Sequence, residues 1–217
     1  MRKKISPIYS YIESVLPSES EDQKNARAKS EALGLSAISI SKTEAHLIHF
    51  LGGLIQPKKI VEIGTLTGLS ALYFLDLLPA TGKLWTFEKS PLHIEKSKSV
   101  LQKYILSGQC QIIEGDAKDN LPQISENGPF DLIFIDGNKA AYFDYWVWAK
   151  NNSSQKGMII IDNVFLAGAV WGDQTEQKFN AKQIGAVKNM TDEIMKSSEF
   201  ISTFIPTNEG LLILQKK

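Results

Sequence analysis

Two groups of residues in this chain have the types and spacing to do chemistry. The first is Asp136, Asp162 and Asn163, with Lys139 three positions after Asp136. Two carboxylates and an amide are hard oxygen donors, and no cysteine or histidine joins them. That set favours Mg²⁺, with Mn²⁺ or Ca²⁺ able to substitute, over Zn²⁺ or Cu²⁺. The same residues could simply be caps and turn formers, because Asp-Asn and Asp-Gly are ordinary in loops. A lysine beside a bound cation, and partly buried, is a candidate general base, whereas a solvated one merely opens a helix.

The second group surrounds Lys59-Ile60-Val61-Glu62-Ile63-Gly64-Thr65-Leu66-Thr67-Gly68-Leu69-Ser70. A β-branched run, a tight glycine turn and a helix start leave backbone N–H groups open to a ligand. The spacing is G-x-x-x-G, with Glu62 two residues ahead, rather than the G-x-G-x-x-G of dinucleotide sites. An acid there suits a ligand with an amino-acid portion, whose ammonium it can hold. One βαβ unit further on, Glu88 can accept hydrogen bonds from ribose hydroxyls or carry a helix N-terminal charge. Asp116 with Ala117 falls where an adenine would lie, and Asp116 also fits the N-cap of the next helix.

Positioning these groups requires a sheet. Strand patterns fall at 59–63, 83–87, 109–113, 132–135 and 158–161, separated by helices at 69–78, 91–106, 117–123 and 139–150. This alternation predicts a parallel sheet covered on both faces, and runs such as Ile-Phe-Ile and Ile-Ile-Ile fit doubly buried strands. In such a sheet ligands sit at the carboxyl ends of the strands, where all five runs end in an acid or a glycine turn. A helix from about Glu176 to Lys196 and a hairpin of 200–205 with 211–214 close the chain, so the last strand runs antiparallel. The expected fold is therefore α/β, doubly wound and Rossmann-like, with a mostly parallel seven-stranded sheet, an antiparallel last strand and N-terminal helices.

Residues 1–56 read as that helical segment and 57–217 as the core, in a single domain. Ser6-Pro7 opens a first helix, a capping box at 18–21 a second, and another at 41–44 a third. The second is charged nearly all round, which suits either a solvated face or an arm on another subunit. His46 is expected on an exposed face, with His49 and His93 capping or packing. The 24 basic and 24 acidic side chains cancel, so composition predicts no nucleic-acid partner. Cys110 lies in an apolar run, as a buried structural thiol does. No apolar window reaches membrane length and no secretory signal follows Met1, which gives a cytoplasmic expectation.

With both groups in place, the chain resembles the cation-dependent class I S-adenosylmethionine O-methyltransferases, the group of catechol and caffeoyl-CoA O-methyltransferases. The matching pieces are Val61 to Ser70, Phe130 to Lys139 with Tyr142, Gly157 to Asn163, and Glu209-Gly210-Leu211. The resemblance implies that Glu62, Gly64, Gly68 and Ser70 hold the methionine portion of the donor. Glu88 would bind the ribose, Asp116 and Ala117 the adenine, and Asp136 would face donor and cation alike. Asp136, Asp162 and Asn163 would bind the cation, Lys139 would be the catalytic base, and the acceptor would be a small hydroxylated aromatic molecule. A homodimer is expected. Asn138 stands where the family more usually has Asp, and Phe165-Leu166 follow Val164 where it often has Leu-Trp. The rivals are a nucleic-acid methyltransferase and a non-catalytic S-adenosylmethionine-binding module. The first lacks an Asn/Asp-Pro-Pro-aromatic motif here, and Lys139 with Asp162-Asn163 argues against the second.

Overall fold

The computed structural model describes residues 7–173 and 178–217. Ser6, Glu176 and the rest of 1–6 and 174–177 lie outside the described residues. Three helices come first: α1 (Pro7–Val15), α2 (Glu21–Ala32) and α3 (Lys42–Gly53). The α/β alternation then runs β1 (Lys59–Ile63), α4 (Leu69–Leu77), β2 (Lys83–Glu88), α5 (Pro91–Leu106), β3 (Cys110–Glu114), α6 (Ala117–Asn120), β4 (Phe130–Ile135), α7 (Tyr142–Asn152) and β5 (Ser153–Ile161). It ends with α8 (Ala181–Lys196), β6 (Phe200–Ile205) and β7 (Leu211–Lys216).

The seven strands form one sheet in the order β3-β2-β1-β4-β5-β7-β6. Neighbours from β3 to β5 pair in parallel, and β7 is antiparallel to both β5 and β6. The expected sheet is thus the observed one, with β7 the single reversed strand. Each face carries a core. Val61, Ile63, Ile133 and Ile135 face α7 and α8, while Ile60, Leu132 and Phe134 face α3 and α4. The alternation follows from the two-residue period of a strand buried on both sides.

Several element ends differ from the sequence reading, each for a local reason. The cap of α2 is Ser20 with Gln23 rather than a box at 18–21, since Ser20 Oγ receives the Gln23 N–H and Gln23 returns the bond. The helix after β3 is α only to Asn120 and continues as a 3-10 turn through Asn127, with Pro122 unable to donate. Residues 139–141 are a 3-10 turn before α7. β5 begins at Ser153, five residues before its apolar run, through a polar segment with Lys156 at φ 63°. α8 starts at Ala181, where Asn180 and Gln183 form a capping box. The Ser90–Pro91 start of α5 and the Ser41–Glu44 box of α3 are as expected.

The charged helix α2 packs against its own chain. Lys29 Nζ donates to Ser99 Oγ at 2.6 Å and Lys103 Nζ to Asp22 at 2.6 Å, which ties it to α5. His46 is half-buried rather than exposed; its Nε2 is buried without a partner and its ring lies edge-on to Tyr73 at 5.7 Å. Burial lowers its pKa, helped by Lys42 and His49. His49 pairs with Asp76 at 2.9 Å. Cys110 is buried, and burial pushes its thiol up to about 12, as a structural cysteine requires. No helix among the described residues is long and apolar enough to cross a membrane.

Candidate active site

Strand register brings the functional side chains together. Ile63 of β1 pairs with Phe87 of β2 and Ile135 of β4, and Ile135 pairs with Ile161 of β5. The ladder continues one residue past these pairs. Gly64 N donates to Phe87 O at 3.0 Å, Asp136 N to Ile63 O at 2.9 Å, and Asp162 N to Ile135 O at 2.9 Å. Gly64, Asp136 and Asp162 therefore leave three adjacent strands abreast, ~4.8 Å apart as parallel strands are. On the other side Gly115 N donates to Glu88 O at 2.8 Å, which sets Gly115-Asp116 beside Glu88.

A cleft of about 390 Å³ lies over these ends, within the usual size range of small-molecule sites. Of the predicted residues, Gly64, Glu88, Asp116, Ala117, Asp136, Lys139 and Asn163 form its wall. Glu62, Gly68, Ser70 and Asp162 are not on that wall. Glu62 is fully buried in β1 and Asp162 is 1% exposed. Gly68 serves the fold: it caps α4 at φ 90° and packs on Leu101. Gly64 has φ 107°, and a side chain there would collide with the Asp136 carbonyl, so only glycine lets β1 turn so close to β4.

Over the ends of β1 and β2, the cleft is held mainly by main-chain groups. Glu88 Oε2 accepts the Leu66 N–H at 2.9 Å, and Oε1 accepts those of Lys89 and Ser90, each at 2.9 Å. His93 Nδ1 stands 3.5 Å from Oε1. Leu66 adopts φ 50°, a left-handed conformation that this bond and its neighbours sustain. Below the turn, Thr65 and Thr86 hydroxyls lie 2.5 Å apart and Thr86 donates to Glu62 Oε2 at 2.6 Å. Glu62 Oε1 is buried with no partner. Burial pushes the Glu62 pKa up to about 8; Asp136 and Glu88 add to the rise, while Ser70 and Thr86 hydroxyls oppose it. An orphaned carboxyl oxygen beneath the glycine turn fits a ligand that brings an ammonium.

Over the ends of β4 and β5, the cleft is held by side chains. Lys139 Nζ donates to Asp136 Oδ1 at 2.7 Å and to the Tyr142 hydroxyl at 2.6 Å. Tyr142 donates onward to the Asp162 carbonyl at 3.1 Å. Burial, then Asp136 and Asp162, raise the Tyr142 pKa well above the usual range, so this hydroxyl stays protonated. Asp162 Oδ1 accepts the Asn163 N–H at 2.6 Å, and Asn163 sits at φ 57°. Among the described residues no group of three or more His, Cys, Asp or Glu is arranged to hold a metal. What the ends of β4 and β5 offer is two carboxylates and one carboxamide, an all-oxygen set whose chemistry fits a hard divalent cation.

Sequence reasoning missed part of the wall. Ala37 and Ile38 reach the cleft from the α2–α3 loop, and Phe87, Tyr145, Phe179 and Glu209 also line it. Tyr145 carried a signal in hindsight, at i+3 from Tyr142 on the first turn of α7. The loop residues carried none, since nothing local marks which loop folds over an edge. Ile40 is buried in the core under α2, where its carbonyl accepts from Arg27 at 3.0 Å.

A glycine turn, a ribose-type acid and a Lys–Asp pair on one edge of this sheet describe a methyltransferase, and comparison with known proteins agrees. Residues 14–217 match the family model described as O-methyltransferase. A catechol O-methyltransferase of Niastella koreensis is 36% identical over 180 residues, covering 79% of this chain and 81% of the relative. One from Mycobacterium tuberculosis is 30% identical over 166 residues, covering 76% and 75%. Among solved structures, the O-methyltransferase TomG of Streptomyces achromogenes, in complex with S-adenosylmethionine, superposes with TM-score 0.88 at 26% identity, covering 100% of this chain and 98% of that one. The chain belongs to the O-methyltransferase family, and with it to the S-adenosylmethionine-dependent O-methyltransferases.

Proposed function

We propose that this O-methyltransferase transfers the methyl group of S-adenosylmethionine to a hydroxyl of a small catechol-type or hydroxycinnamoyl-type acceptor, with a divalent cation, Mg²⁺ first and Mn²⁺ or Ca²⁺ as substitutes. The observation that carries this reading is the abreast exit of Gly64, Asp136 and Asp162 from β1, β4 and β5. It sets the glycine turn beside two carboxylates, Asp136 on the cleft wall and Asp162 buried behind it, which supports a donor site next to a cation site. On this reading Glu62 answers the donor's ammonium from below the turn, with Gly64, Gly68 and Ser70 shaping that end. Glu88 takes the ribose hydroxyls with the capacity its two oxygens retain, and Asp116 and Ala117 border the adenine.

Asp136, Asp162 and Asn163 would hold the cation, whose charge would lower the pKa of an acceptor hydroxyl. Lys139, paired with Asp136 in the free protein, would take the acceptor's hydroxyl proton as the neutral amine, once its ammonium has given up a proton. The oxygen then attacks the sulfonium methyl in line: an O–CH₃ bond forms, the S–CH₃ bond breaks, and S-adenosylhomocysteine leaves as a neutral thioether. Tyr142, itself kept protonated, holds Lys139 toward Asp136 so that the proton acceptor stays aligned. Alignment and charge placement are the protein's main contributions. The catechol O-methyltransferase relatives support the acceptor class. The exposed Ile8, Tyr11 and Val15 of α1 support a homodimer, which light scattering tests.

The test is a methyl-transfer screen with labelled donor over vicinal diols, their mono-hydroxyl analogues and hydroxycinnamoyl thioesters, with added Mg²⁺ or with chelator. Vicinal diols should be methylated and chelator should abolish turnover. Equal rates in chelator remove the cation. Donor binding without methylation of any acceptor class points to the binding-module rival.

A further inference from the structure

Helix α2 is polar along its whole length, and only two of its residues are buried, Ala26 and Ser30. They are four apart, so they lie on one face. Both meet the same side chain, and it belongs to the glycine turn. Thr67 Oγ1 donates to the Ala26 carbonyl at 3.1 Å and shares a hydrogen bond with Ser30 Oγ at 2.6 Å. With the Thr67 proton committed to Ala26, Ser30 is the donor of that second bond. A serine in a helix can instead bond back to the carbonyl four residues before it. Here that carbonyl is Ala26's, and Thr67 takes it.

The turn has two halves with different anchors. Residues 64–66 are tied to β2, through the Phe87 carbonyl and the Glu88 carboxylate. Thr67, fully buried, is tied by its side chain to α2 alone among the described residues. Between the anchors stands Leu66 in its left-handed conformation, which persists only where both flanks hold it. The Leu66 N–H that meets Glu88 is set by this conformation. A slack Thr67 would loosen the donor-binding carboxylate along with the turn.

We propose that α2 is part of the donor site and that Ser30 is a positioning residue for S-adenosylmethionine, acting through Thr67 on the turn 64–68. The inference rests on the reading of the cleft as a donor site. It gives the helical segment ahead of the sheet a role in binding, and it explains a buried hydroxyl pair that a structural contact would make from alanine and valine.

Donor affinity is measured calorimetrically on the full chain, well below its melting temperature, with the apo melting temperature recorded alongside. Ser30→Ala and Thr67→Val should each weaken binding about five- to tenfold, the worth of one buried hydrogen bond. Each should raise KM for the donor without changing kcat. Thr67→Ser, which keeps the hydroxyl, should restore affinity to within about twofold of the parent, again judged against that hydrogen-bond scale. The double variant should be no weaker than the worse single, because the two groups act as one unit. Asp22→Ala, which loosens α2 from α5 instead, should lower the melting temperature and leave affinity unchanged. Single variants that melt earlier but bind the donor as the parent does overturn the proposal. A parent protein that fails to bind the donor overturns the cleft reading first, before any variant is made, and takes the latch with it.

Discussion

On the side of the cleft proposed for the donor, one carboxylate, Glu88, gathers three backbone N–H groups, and the turn above it follows directly from strand register. On the acceptor side, Asp136 is met by a side chain, Lys139, and the following loop holds Asn163, Leu166 and Ala167 at φ of 57°, 46° and 53°. The first half is built from groups every residue possesses. Its geometry is largely shared with the sheet, with one strained residue, Leu66 at φ 50°. The second half depends on particular side chains and on left-handed non-glycine residues, which are disfavoured by ~1–2 kcal/mol each. A binding half can tolerate substitution on its exposed rim as long as the ladder persists. A chemical half loses its geometry with a single residue.

Separating the two halves by mutation is the sharpest way to break that contrast, and Lys139 should show it most. Lys139→Ala removes the proposed proton acceptor and the partner of Asp136, and should lower kcat by about 10²–10⁴-fold, the usual range for a positioned general base. Donor affinity, measured calorimetrically, should stay within a few-fold. Equal loss of binding and turnover would mean that the halves are one.

Glu62 tests the donor half from the opposite direction. Its folded pKa of about 8 lies above its ordinary 4.5. The folded state thus retains a proton that the unfolded chain releases between those values. Stability from this group is full below about pH 4.5 and is lost as pH rises through about 8, by at most ~5 kcal/mol for a shift of this size. Glu62→Gln has no such dependence. The melting temperature of the variant should climb relative to the parent from pH 5 to pH 9, while donor affinity falls because the ammonium loses its carboxylate. A constant difference across that range would show that Glu62 is ionised in the free protein.

What was legible in the sequence divides along the same line. The strand ends could be read because a doubly buried strand is an uninterrupted apolar run, and the residue that ends it marks the edge on which the cleft opens. Glu88, Asp136 and Gly64 needed nothing more. The caps of α3 and α5 were equally plain, since a capping box is a local event. Packing of α2 was hidden: two small buried residues among eight polar or charged neighbours and two alanines make no periodic stripe, and Ser30 looks like any other surface serine. Ala37 and Ile38 were hidden too, because the path of the α2–α3 loop depends on where α2 docks. The depth of Glu62 could not be read from its position two residues before Gly64. Position 62 faces the α3–α4 side of the sheet, so it reaches the turn from beneath instead of lining the cleft.

Asn163 sharpens the comparison at the smallest scale, because backbone strain and ligand chemistry meet in one residue. Its φ of 57° is a conformation asparagine tolerates better than other branched or bulky residues, and glycine better still. Asn163→Gly therefore deletes the carboxamide and leaves the backbone at ease, whereas Asn163→Ala deletes it and adds ~1 kcal/mol of strain. If the amide oxygen is a cation ligand, both variants should need about tenfold more Mg²⁺ for half-maximal rate, a typical loss for one supporting group at a metal site. Only the alanine variant should melt earlier, by ~2–4 °C for a chain of this length. If asparagine is there for the turn alone, the alanine variant melts earlier and neither changes the Mg²⁺ requirement. The acceptor half would then hold its cation with Asp136 and Asp162 only, and the strained loop would serve the acceptor rather than the metal.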